Sequence, residues 1–133
     1  MSQDLDALLS AMPFSAALGM TLEVAGAEEV RGRLAWAPER CTSGGLLHGG
    51  ALMAFADSLG GVCAFLNLPP GAGTATTSSS TVFLRGVRSG EVIGIAHALH
   101  VGRTTIAVRT DLRDDRGRLV AQVTQTQAVL VAR

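Results

Sequence analysis

Between Arg40 and Arg85 the chain carries one formally charged residue, Asp57, in the middle of an apolar run whose large side chains recur at steps of three and four: Leu52, Phe55, Leu59, Val62 and Leu66. That spacing predicts a long helix over about 49–66, opened after His48 and ended by Pro69, Pro70, Gly71 and Gly73. A carboxylate at the centre of such a helix is expensive to bury unpaired, so it must be hydrogen-bonded, protonated, or turned to a cavity. On a helical wheel Asp57 shares its face with Gly50, Met53, Ala54, Gly60, Gly61 and Ala64, and the large side chains fall opposite. A face of small residues lets a second chain or a thin ligand approach the helix closely. The plainer alternative is that Asp57 only caps or pairs with a group across a subunit contact.

Around this helix the pattern is that of strands. Before it, 21–24 and 30–37 alternate, with Val30, Gly32, Leu34 and Trp36 on one face and Arg31 and Arg33 on the other. After it come 75–84, 91–100, 104–113 and 119–131, separated by Arg88-Ser89-Gly90, Gly102, and the turn from Asp114 to Gly117. A short leading helix over 4–12 is predicted from Leu5, Leu8, Leu9 and Met12, with Asp4 as its N-cap and Pro13 as its stop. One long helix and about six strands joined by short turns describe an α+β domain, an antiparallel sheet wrapped around a central helix, and 133 residues suit a single domain over 1–133.

Composition excludes several function classes. Eleven basic residues balance eleven acidic ones, so no global field attracts nucleic acid or an anionic membrane. Hydrophobic residues are 47% and charged residues 17%, more apolar than one small subunit can cover, which favours a homo-oligomer. Cys41 and Cys63 lack a C-x-x-C spacing and read as free thiols. Asp4 and Asp6 stand where a signal peptide needs basic residues, and no apolar run reaches the roughly 18 residues of a membrane span, so a cytoplasmic protein is expected. His48, His97 and His100 form no convincing metal-ligand set, because positions 97 and 100 of a regular strand point to opposite faces.

His48-Gly49-Gly50 opens the long helix, where unpaired backbone N–H groups and the positive end of the dipole can polarise a carbonyl. Glycines at a helix start also occur for backbone reasons alone. If the Gly49 N–H and the Asp57 carboxylate act on one group they must lie together, yet eight residues of helix separate them by about 12 Å. The site is therefore expected to be composite, with Gly49 from one subunit and Asp57 from its symmetry mate.

Taken as an ordered set, these motifs resemble the PaaI-type hotdog-fold acyl-CoA thioesterases, the group that includes phenylacetate-pathway, aryl-CoA and dihydroxynaphthoyl-CoA thioesterases. The resemblance spans about 18–130. It rests on Gly45-Leu46-Leu47-His48-Gly49-Gly50, on Ala56-Asp57-Ser58-Leu59-Gly60 with the acid nine positions after the histidine, and on three later blocks: Phe83-Leu84-Arg85, Leu99-His100-Val101-Gly102-Arg103, and Asp115-Arg116-Gly117-Arg118-Leu119-Val120. It implies that Asp57 is nucleophile or general base, that the Gly49 N–H polarises the thioester carbonyl, and that His48 supports it. Thr42, Gly50, Gly61, Ser79 and Gly102 would line the substrate path. Arg85 and Arg103 would meet the coenzyme A phosphates, although exposed arginines at strand ends are equally read as solvated charges.

The resemblance further implies no cofactor, coenzyme A being part of the substrate, and a dimer of dimers as the assembly. The chain departs from the family pattern in three places. Its acid is Asp, as in the phenylacetate branch, while the flanking motifs look like the dihydroxynaphthoyl branch, which generally has Glu. Thr42 stands where relatives often carry an amide, and Gly61 where a hydroxyl residue often stands. Aromatic, short aliphatic and polyketide-like acyl groups all stay open. Two competing readings use the same cavity: a non-catalytic acyl-CoA-binding module and a hotdog hydratase or dehydratase. The absence of an appended output domain argues against the first, and the H-G-G-x6-D arrangement looks like the hydrolases rather than the second.

Overall fold

The structure, a computed structural model, describes residues 4–131. Its elements in order are α1 (Leu5–Ser10), α2 (Pro13–Leu18), β1 (Thr21–Ala25), β2 (Val30–Ala35), α3 (Gly49–Phe65), β3 (Gly73–Phe83), β4 (Glu91–Val101), β5 (Thr105–Arg113) and β6 (Leu119–Leu130), with a 3-10 turn at Pro38–Arg40. The six strands form one sheet in the order β1-β2-β4-β5-β6-β3, antiparallel at every step. This is the α+β hotdog architecture, with α3 lying along one face of the sheet.

The apolar line read from the sequence is the line that packs: Leu52, Phe55, Leu59 and Val62 are buried, Phe55 and Leu59 completely. They meet Val30 and Leu34 of β2, Val92 of β4, and Ile106, Val108 and Leu112 of β5. Each such large side chain contributes about 1.5–3 kcal/mol by leaving water. The close approach of helix to sheet depends on Gly32 and Gly94, which face each other across β2 and β4. A Cβ at Gly32 would come within 2.9 Å of Leu59 Cδ2, and one at Gly94 within 3.0 Å of the Phe55 ring and into contact with Leu59 Cδ1.

Two expectations are corrected. Pro13 does not simply close one leading helix: α1 ends at Ser10 and Pro13 takes the first turn of a second helix, where its missing N–H costs nothing. Asp4 does cap α1, its Oδ1 accepting from Ala7 N at 3.1 Å. In β4 the register slips between Ala98 and His100, so that His97 lies opposite Arg109 and His100 opposite Ala107. Arg109 and Ala107 share the outer face of β5, so the bulge brings His97 and His100 to one face rather than two. Among the described residues no group of three His, Cys, Asp or Glu side chains lies close enough to hold a metal ion. No helix there is long and apolar enough to cross a membrane.

Candidate active site

The loop before α3 is built to set its first residue. Trp36 Nε1 donates to Gly45 O at 2.9 Å, Thr42 N to Leu46 O at 2.8 Å, and His48 N to Arg40 O at 2.8 Å, so the segment folds back on itself. The Thr42 hydroxyl is engaged inside this loop, accepting from Gly44 N at 3.3 Å. His48 is the N-cap of α3, and its Nδ1 accepts from Gly50 N at 2.8 Å. With Nδ1 the acceptor, the neutral ring carries its proton on Nε2. The Gly49 N–H has no acceptor among the described residues, and a Cβ at Gly49 would sit 3.2 Å from the Phe83 ring. Thr42, Gly49, Phe83 and Arg85 line one groove of about 380 Å³.

Two turns along the helix stands Asp57, exposed on the protomer and flanked by Met53, 43% exposed, and by Gly61, over which there is open space. Desolvation by the surrounding protein nevertheless raises its pKa above the ordinary carboxylate range. Asp57 is exposed yet set on an apolar helix face, and the protein packed behind it is what desolvates it. The open stripe is narrower than the wheel suggests. Gly50, Met53, Asp57 and Gly61 lie along it, whereas Gly60 and Ala64 are turned inward and buried. Ser58, next to the acid, is structural: its hydroxyl donates to Ala54 O at 2.8 Å and lies 2.6 Å from Ser15 Oγ, fastening α2 to α3.

A match to the thioesterase superfamily covers residues 44–121, from the loop before α3 into β6. The chain belongs to that superfamily. Among its relatives, a protein of Mycobacterium tuberculosis named as an esterase is 31% identical over 114 residues, spanning 84% of this chain and 81% of its own length. The proofreading thioesterase EntH of Cronobacter sakazakii is 34% identical over 65% of this chain and 63% of its own length. The crystal structure of a mutant of thioesterase PA1618 from Pseudomonas aeruginosa superposes with a TM-score of 0.91 at 29% identity, covering 98% of this chain and 96% of that one. The resemblance to PaaI-type thioesterases drawn from the motifs thus holds at the level of family and fold.

Within this thioesterase fold the remaining candidates divide between two ends of the sheet. Arg85 lies beyond β3 at the end where Phe83 pairs with Ala121 and Arg113 with Leu119, in a groove of about 390 Å³ that also contains Arg88, Arg116 and Arg118. Asp114 engages Arg118, but among the described residues Arg85, Arg88 and Arg116 form no ion pair. Gly102 and Arg103 occupy the β4–β5 turn at the opposite end. One protomer therefore does not bring Arg85 and Arg103 together. Ser79 is exposed in the middle of β3, an edge strand of eleven residues.

Sequence reasoning missed Gln125. It is 1% exposed on β6, and its Nε2 donates to Asp57 Oδ1 at 3.5 Å. The signal was present: Val123, Gln125, Gln127 and Val129 alternate on one face of the last strand, which puts two amides in the core line.

Proposed function

We propose that the chain hydrolyses an acyl-CoA thioester, aryl or aliphatic, to the free acid and coenzyme A, in the cytoplasm, at a site completed by a second copy. The observation that carries this reading is an acid of raised pKa on an open helix face, about 12 Å along the helix from an N–H that has no acceptor among the described residues. Two such helices side by side and antiparallel would set the Gly49 N–H of one against the Asp57 of the other, with the two-fold axis passing near Met53, midway between them. The exposed edge of β3 is available for the same pairing, since an unpaired edge strand offers a row of backbone donors and acceptors. Antiparallel pairing of two β3 strands also brings the Arg103 end of one sheet beside the Arg85 end of the other, so phosphates could be held from both. A dimer of dimers follows from the family resemblance.

In the reaction the thioester oxygen accepts from the Gly49 N–H, which stabilises the developing oxyanion. Asp57 either takes a proton from water, whose oxygen attacks the carbonyl carbon, or attacks directly to form an anhydride that water then opens. In both, the carbon–sulfur bond breaks and coenzyme A leaves as the thiolate. Desolvation of Asp57 suits it to the work, because a carboxylate with a raised pKa is a stronger base. His48, with Nε2–H as its donor, supports the carbonyl end.

Release of free thiol from aryl- and fatty-acyl-CoA substrates tests the reading. The wild type is expected to turn over, and Asp57→Asn to lose roughly a hundredfold or more, with fold and assembly unchanged. Binding of CoA esters without cleavage of any would sink it in favour of a sensing role.

A further inference from the structure

Gln125 sits in the apolar layer between sheet and helix, and its amide is only half satisfied: Nε2 reaches Asp57 Oδ1, while Oε1 is buried with no donor. A buried acceptor without a partner is destabilising, and an apolar side chain of the same length would avoid that penalty. The backbone is also shaped around the amide, for a Cβ at Gly60 would occupy the space of the Gln125 carboxamide itself. Among the described residues no other side chain hydrogen-bonds the Asp57 carboxylate. The amide orientation follows from charge, since turning Oε1 to an ionised carboxylate would set acceptor against acceptor.

We infer that Gln125 is a positioning residue for Asp57: its Nε2–H favours the carboxylate over the acid and turns it to the open face, and Gly60 is the niche that admits the amide. This rests on Asp57 being the reacting acid. Among the described residues no other charge competes for the role. The ionisable residues of β2, β4 and β5, among them Arg31, Arg33, Glu91, Arg109, Asp111 and Arg113, alternate with the buried positions and point away from α3; α2, β3 and β6 carry none. His97 lies on the outer face of β4, and His100 is exposed beyond the bulge. Cys63, on α3 itself, is directed to the Ala98 backbone.

The test is a direct titration of the Asp57 carboxyl by carbon-13 NMR in the wild type, Gln125→Met and Gly60→Ala, with the pH profile of kcat/KM measured beside it. Gln125→Met keeps the length and removes the donor, so the Asp57 pKa is expected to rise by about half a unit to one unit. The acid limb of the profile should move upward by the same amount, and the alkaline plateau should fall, because the carboxylate is no longer turned to the open face. Gly60→Ala, which expels the amide, should give the same direction of shift. An Asp57 pKa within about 0.2 units of wild type in a folded Gln125→Met protein overturns the inference. Should the wild type cleave no thioester, the proposed function fails, yet the titration still decides whether Gln125 holds Asp57.

Discussion

At the scale of single residues, the acid is set against its surroundings. Desolvation raises the pKa of Asp57, so between the unfolded carboxylate pKa and the folded one the native state binds more protons than the unfolded state. Stability contributed by this residue is therefore present at low pH and lost as pH rises through the folded value. Asp57→Asn is expected to raise the melting temperature at pH 7 and to leave it unchanged near pH 3, which thermal unfolding at the two pH values checks. With Asp57 as the proposed reacting acid, the acid limb of a turnover profile is expected above that of an ordinary carboxylate. Ser58 behaves differently from its neighbour: replacing it with Ala leaves Ser15 buried without its partner, at a cost of about 1–3 kcal/mol in urea unfolding, with the chemistry of Asp57 intact. Asp57 was legible in the sequence because it is the one charge in a long apolar stretch. Gln125 was legible only as one of two amides in the line of Val123 and Val129; that it, and not Gln127, meets Asp57 depends on how β6 is laid against α3.

Among the elements, α3 and the strands beneath it fit through absences. Gly32 and Gly94 remove two side chains where Phe55 and Leu59 must lie, and a methyl group at either has no room. Gly94→Ala is expected to destabilise the fold by about 1–3 kcal/mol, read from the denaturation midpoint, because overpacking forces helix and sheet apart. The helix itself was legible from its spacing, and the strands from alternation. The split between α1 and α2 was not, since Pro serves both as a stop and as a first-turn residue. The bulge in β4 was likewise hidden: nothing in Ala98-Leu99-His100 distinguishes an extra residue from a regular step, and only the register against β5 reveals it.

At the scale of the whole molecule, the chain presents an unpaired edge and an open helix stripe on the same side. Met53 is exposed at what would be the centre of two paired helices. Met53→Arg, which would set like charges against each other across a two-fold axis, is expected to shift the protein to monomer in light scattering and to abolish thiol release while Asp57 remains in place. A monomer that retains full turnover would refute the composite site. Arg85 and Arg103 stand at opposite ends of one sheet, and only the proposed assembly would bring them together.

The sequence by itself determined the helix, its buried line, the strands and the lone acid, because each is written in local periodicity and in the cost of an unpaired charge. Tertiary structure alone decided that Gly60 faces inward to receive Gln125, that a bulge turns His97 and His100 to one face, and that Arg85 and Arg103 stand apart. These depend on register and on which surfaces meet, and residues 60 and 125, far apart along the chain, acquire a relation only when β6 is laid against α3.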